Sequence, residues 1–165
     1  MEKFIIQGES SLKGEIRVHG CKNAATPILA ASLLTDEEVI IDNMPRIVDT
    51  ERMIELIRSI GVRVNITKDG SVVINARDIK ANELPEDAVR SMRSSVLLLA
   101  PLLFRCEKFV LPEPGGCLLG NRPLDTHIRM FAEFGARIDQ EIDSEGKMFL
   151  HCKRGRLQGK TIILP

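Results

Sequence analysis

Apolar positions along this chain recur in an ordered series. Residues 23–34 (NAATPILAASLL) are apolar and helix-favouring, with Pro27 tolerated only close to a helix start. EVIIDN (38–43) reads as a short β-branched strand. In VDTERMIELIRSIG (48–61), Met53, Leu56, Ile57 and Ile60 share one helical face, and Gly61 supplies the stop. VRVNI (62–66) and SVVINA (71–76) flank TKDG, which predicts a hairpin.

The same order returns at 92–152. MRSSVLLLAPLLF matches the first helix and KFVLPE the first strand. LDTHIRMFAEFG matches the second helix, down to the shared Asp-Thr and the closing Gly135. ARIDQEI and KMFLHC then form a second hairpin around DSEG. The offset is 70 at the first helices, 76 at Asp49/Asp125 and 74 at Gly61/Gly135. The second copy carries an extra loop, PEPGGCLLGNRP (112–123). A third register shows where SLKGEIRV (11–18) resembles RLQGKTIIL (156–164), so residues 156–165 read as the opening strand of a third unit. Units that each bury part of an apolar face need neighbours. The series therefore predicts a piece of a longer protein; a complete domain of two pseudo-equivalent halves is the alternative.

Composition narrows the class. The 165 residues carry 23 basic and 23 acidic side chains and no net charge, against nucleic-acid binding. With no Trp and no Tyr, base-stacking platforms are hard to build. Apolar residues at 44% and charged ones at 28% exclude a disordered or collagen-like chain. No apolar run approaches the ~20 residues of a membrane span, and MEKFIIQGES lacks a secretory leader's apolar stretch. A cytoplasmic α/β protein is the expectation. Cys21, Cys106, Cys117 and Cys152 are scattered without metal-ligand spacing, and each reads by default as a small buried hydrophobe.

Chemistry concentrates in three places. In the extra loop, Gly115 and Gly116 allow a ligand close to backbone N–H groups, and Cys117 stands five residues before Arg122. A nearby guanidinium favours thiolate, and Arg122 can hold phosphate or carboxylate. In HGCKNAA (19–25), Lys22 and Asn23 fall where a strand hands over to a helix, a natural anion site; Asn23 also suits an N-cap. In VRSMRSS (89–95), Arg90 and Arg93 stand one turn apart, with Arg93 at the repeat position of Asn23. His19, His127 and His151 have no partner at catalytic spacing and read as structural. No phosphate-loop, dinucleotide or nucleophile-elbow motif occurs. The residues alone describe an anion-binding α/β protein with one activated cysteine.

GCKNAA (20–25), MRSS (92–95) and PGGCLLGNRPLDTHI (114–128) closely resemble the UDP-N-acetylglucosamine 1-carboxyvinyltransferase family, in order along essentially the whole chain. The resemblance implies an inside-out α/β barrel of repeated βαβαββ units, incomplete in this chain. Residues 1–21 would be an N-terminal strand segment that packs with a second domain. Residues 22–165 would supply two units plus the first strand of a third. It implies transfer of enolpyruvyl from phosphoenolpyruvate to the 3′-hydroxyl of UDP-N-acetylglucosamine, the first committed step of peptidoglycan synthesis, without metal or cofactor. Cys117 and Lys22 would be catalytic. Lys22, Arg93 and Arg122 would bind phosphoenolpyruvate, and Asn23, Arg122, Pro123, Leu124 and Asp125 the sugar nucleotide. The family's carboxylate base and a further arginine lie in the second domain, so this chain carries half a site. The sister enzyme, 3-phosphoshikimate 1-carboxyvinyltransferase, is disfavoured: its Lys-Ser start is replaced by Lys22-Asn23, and it lacks the Gly-Gly-Cys loop. A truncated, non-catalytic paralogue that binds sugar nucleotide or a partner protein is the other reading. Half a site also predicts an inactive chain that self-associates, without nucleic-acid or membrane partners.

Overall fold

A computed structural model describes residues 3–8, 11–115 and 123–162. It contains two similar units. The first comprises α1 (Lys22–Ala31), a 3-10 turn (Ser32–Leu34), β1 (Glu38–Ile41), α2 (Val48–Ser59), β2 (Arg63–Ile66) and β3 (Val72–Asn75). The second comprises α3 (Glu86–Arg90), a 3-10 helix (Arg93–Leu98), α4 (Leu99–Arg105), β4 (Lys108–Pro112), α5 (Asp125–Glu133), β5 (Arg137–Ile142) and β6 (Met148–Lys153). Both sheets are antiparallel, in the orders β1-β3-β2 and β4-β6-β5. The hairpins and their turns fall where the alternation put them.

Each sheet buries one face. Val72 and Ile74 in the first unit, and Phe109, Leu111, Leu150 and Cys152 in the second, point into one continuous core. Leu29, Leu33, Met53, Leu56 and Ile57 meet Leu98, Leu102 and Leu103 there, so the units pack helix to helix with the sheets outside. Arg105 ties them together, its guanidinium donating to the carbonyls of Leu33 (3.0 Å) and Ala76 (2.9 Å).

The second unit starts earlier than the sequence suggests. Leu84 N–H donates to Val110 O (3.1 Å) and Val110 N–H to Asn82 O (2.8 Å), a parallel bridge centred on Glu83 and Val110. This short entry strand escapes notice because Asn82-Glu83-Leu84-Pro85 is polar and ends in proline. The expected single helix over 92–104 is a 3-10 segment followed by α4. Pro101, third in α4, has no N–H to donate and suits a first turn. Pro27 sits sixth in α1, deeper than expected.

The units also leave in the same way. Lys80 N–H donates to Ile60 O (2.8 Å) at the end of α2, and Gln158 N–H to Phe134 O (2.9 Å) at the end of α5. A Cβ on Gly61 would stand 2.7 Å from Asp78 O, and one on Gly135 would stand 2.4 Å from Arg156 O. Both glycines have φ near +90° (+89° and +99°), a backbone that only glycine adopts easily at a helix stop. Residues 156–162 thus follow the path of 78–84, but they pair with no strand, contrary to the expected opening strand. A strand requires a bonded neighbour, and no other described strand lies beside them. Likewise the strand expected in residues 1–21 is absent among the described residues: Phe4, Ile6, Leu12 and Ile16 are each at least 88% exposed. No described helix is long and apolar enough to cross a membrane.

Candidate active site

Lys22 is the first residue of α1 and Asn23 the second. The N-cap is Cys21, exposed and extended (φ −105°, ψ 151°), whose carbonyl accepts from Ala24 and Ala25 N–H. This corrects two expectations. Asn23 does not cap the helix, and Cys21 is no buried hydrophobe. Ahead of Ala24 and Ala25, the N–H groups of Lys22 and exposed Asn23 take no bond within the helix. Gly20 sets this start against the β1–α2 connection, since a Cβ there would stand 2.2 Å from Asn43 O.

Sequence reasoning missed the partner of Lys22. Its Nζ lies 2.7 Å from Asp49 Oδ1, joining the starts of α1 and α2. Asp49 is the second residue of α2, where the helix dipole favours a carboxylate. Thr50 fixes that turn from inside: it is buried, and its Oγ1 accepts from Ile47 N–H and donates toward Pro45 O (2.6 Å). The shared Asp-Thr of the repeat was the available signal.

From α2 the arrangement passes to the second unit. Arg52 donates to Ser91 O at 3.0 Å. Two residues on, Arg93 opens the 3-10 helix behind Met92 as N-cap. By caps, Arg93 matches Lys22 and not Asn23, so a cation opens both α1 and the 3-10 helix of the second unit. Arg93 is half-buried and donates to Pro114 O at 3.2 Å. Buried Ser95 secures the turn, its hydroxyl within 2.8 Å of Met92 O and 2.9 Å of Val89 O.

Arg93 therefore holds the stem of the extra loop, and Arg90 holds it from the other side. A Cβ on Gly115 would stand 1.5 Å from Arg90 O, which no side chain can occupy. Arg90 Nε pairs with Glu86 (2.9 Å), its Nη2 donates to Met148 O (3.1 Å), and it lies over the Phe149 ring at 5.6 Å. Lys147 also pairs with Glu86 (3.1 Å). Hydrogen bonding from Lys147, and less so from Arg90, holds the Glu86 carboxyl below its ordinary value. Gly116–Arg122, and with them Cys117 and Arg122, lie outside the described residues. Beyond the loop, Pro123 is exposed, Leu124 is buried, and Asp125 opens α5.

The structure thus brings Lys22, Asp49, Arg93 and the loop stem into one linked series. Of the other thiols, burial pushes Cys152 up to about 12 and raises Cys106. Among the described residues, no three His, Cys, Asp or Glu side chains gather as metal ligands. His19 and His127 are exposed, and His151 pairs with Glu141 at 2.8 Å.

Both the sequence and the α/β fold of this chain are shared with known proteins. The chain belongs to the EPSP synthase (3-phosphoshikimate 1-carboxyvinyltransferase) family, whose model it matches over residues 6–164. It is 38% identical over 164 residues to UDP-N-acetylglucosamine 1-carboxyvinyltransferase 2 of Caldanaerobacter subterraneus subsp. tengcongensis. It is 40% identical over 164 residues to UDP-N-acetylglucosamine 1-carboxyvinyltransferase of Akkermansia muciniphila. These alignments take in 99% of this chain but 38% and 37% of the relatives, so it spans under two fifths of their length. Among solved structures, the enolpyruvyl transferase NikO from Streptomyces tendae superimposes with a TM-score of 0.67 at 25% identity, over 87% of this chain and 31% of that one. EPSP synthase from Acinetobacter baumannii shares the fold, with a TM-score of 0.64 at 20% identity over 87% of this chain and 33% of that one.

Proposed function

We propose that this chain supplies one side of an enolpyruvyl-transfer site that takes phosphoenolpyruvate and UDP-N-acetylglucosamine and releases phosphate. The observation that carries it is the pair of cations, Lys22 and Arg93, at matched helix starts, with Arg93 bonded to the stem of the Gly-Gly-Cys loop. Phosphoenolpyruvate is small and multiply charged, so its phosphate and carboxylate need several converging cations. Lys22, Arg93 and Arg122 fill that role. Lys22 exchanges its Asp49 contact for the incoming anion. The thiol of Cys117 delivers a proton to the methylene carbon as the 3′-hydroxyl of the sugar bonds to the adjacent carbon and gives its own proton to a carboxylate base supplied by the second domain. Loss of phosphate and of that proton restores the double bond on the sugar. Asn23, Arg122 and Pro123 to Asp125 hold the sugar nucleotide.

The rest of the site comes from chain beyond these residues. A groove of about 380 Å³ between Phe104, Phe131, Phe134, Leu34 and Leu157 is the seat for a third unit completing an inside-out barrel. The exposed apolar residues before Gly20 are the seat for a second domain. Phosphate release decides the matter. Residues 1–165 alone should show none, and adding the remaining two thirds of a relative as a separate chain should restore it. Restored release that persists in Cys117→Ser and Lys22→Ala chains would refute the roles given to them. A complemented pair that binds UDP-N-acetylglucosamine but never turns over would favour a binding protein.

A further inference from the structure

The two units present the same row of the sheet to solvent, neutral in the first and wholly cationic in the second. In the first unit, Glu38, Asn75 and Arg63 stand side by side across β1, β3 and β2. In the second, the row holds Lys108, Lys153 and Arg137 across β4, β6 and β5. Directly opposed residues on antiparallel strands lie about 4.5–5.5 Å apart at Cα, and like charges there destabilise the sheet. The first unit also neutralises its arginine: Asp78 lies 2.6 Å from Arg63. The residue that takes the place of Asp78 beside the helix-stop glycine of the second unit is Arg156. Four matched positions therefore change from Glu, Asn, Arg and Asp to Lys, Lys, Arg and Arg, a formal charge of −1 against +4.

The fold does not demand this, because the first unit builds the same sheet without it. Nor is the charge balanced locally. Arg137 has one acid, Asp139, at 2.7 Å, and Glu141 is engaged by His151. Lys108 and Lys153 have no ion-pair partner among the described residues. The three cations line an open depression of about 600 Å³ together with Asn82, Val110, His151 and Asp139, the last already paired with Arg137. That volume suits a small ligand.

We propose that this depression binds a compact polyanion of two or three linked phosphate groups, which lies along the Lys108–Lys153–Arg137 row. A single carboxylate reaches only one or two of the cations, whereas a short phosphate chain touches all three and relieves their mutual repulsion. The site stands independently of the enolpyruvyl-transfer reading.

The test is calorimetric titration of the full chain at low salt with inorganic triphosphate, inorganic diphosphate and ADP. The comparison variant Lys108→Glu/Lys153→Asn rebuilds the row of the first unit and, by removing repulsion, unfolds no more readily than the parent. Triphosphate binding should weaken by about tenfold or more in that variant, persist in Lys22→Ala, and fade as salt rises. ADP binding equal to diphosphate assigns recognition to the phosphates. Tighter ADP binding assigns the base to the depression. Either supports the site. No binding by the parent chain, affinity unchanged in the row variant, loss in Lys22→Ala instead, or preference for a DNA oligonucleotide over triphosphate would overturn it.

Discussion

Lys22 Nζ rests 2.7 Å from Asp49 Oδ1, so the cation that opens the first unit is neutralised by a carboxylate at the start of α2. A phosphate drawn to this lysine, as the proposed reaction requires, would compete with that carboxylate for it. The pair is about half exposed on the lysine side, and such pairs add about 0–1 kcal/mol to stability.

Lys22→Ala and Asp49→Asn should therefore each shift the urea midpoint by no more than that amount implies. In a complemented enzyme, Lys22→Ala should cost roughly 1.5–3 kcal/mol in kcat/KM for phosphoenolpyruvate, as a charge-assisted contact does. A large stability loss in either variant would show that the pair serves the fold. Loss confined to the sugar-nucleotide KM would reassign the lysine.

Gly115 is the most constrained of the described glycines. Gly115→Ala drives a methyl into the Arg90 carbonyl and should destabilise by about 1–3 kcal/mol or more, because backbone must move. Gly146→Ala meets nothing within 4 Å and carries only the strain of its φ of +79°, of order 1 kcal/mol. Denaturant unfolding of the two variants should rank them in that order.

Thiol reactivity separates the cysteines. At pH 8 an alkylating agent should leave Cys152 unlabelled in the folded chain, since burial holds its thiol near 12, and should label Cys106 slowly. In a complemented enzyme, the epoxide phosphonate fosfomycin should modify Cys117 ahead of exposed Cys21. Peptide mass mapping reads both outcomes, and equal labelling of Cys21 would remove the case for an activated thiol.

Glu86 gives a pH signature. Its folded value lies below the ordinary 4.5, so its ion pairs stabilise the fold above that pH and lose their effect as pH falls through the folded value. The difference in melting temperature between the parent and Glu86→Gln should be present at pH 7 and shrink below pH 4.5. A difference that grows on acidification would contradict the pairing with Lys147 and Arg90.

Periodicity made the two hairpins, α2 and α5 legible, because each presents an apolar stripe and ends in a glycine or a turn. The entry strand at 82–84 was hidden because only Leu84 faces the core. The break at residue 98 is written in Pro101 alone. At the candidate site, Lys22, Asn23 and Arg93 could be read from local context, but the ion pair between Lys22 and Asp49 spans 27 positions and is created by packing. Aligning the units by sequence paired Arg93 with Asn23. Only the caps, visible in the backbone, show that Arg93 stands in the place of Lys22.

The guanidinium of Arg105 has a consequence for how the molecule comes apart. It satisfies carbonyls at two separate points of the first unit, after α1 and after β3, from the end of a helix in the second. Were either unit to unravel alone, those carbonyls and the charge would lose their partners together. The shared core would open at the same moment. Heating should thus produce one sharp calorimetric transition rather than two, and Arg105→Ala should broaden or split it.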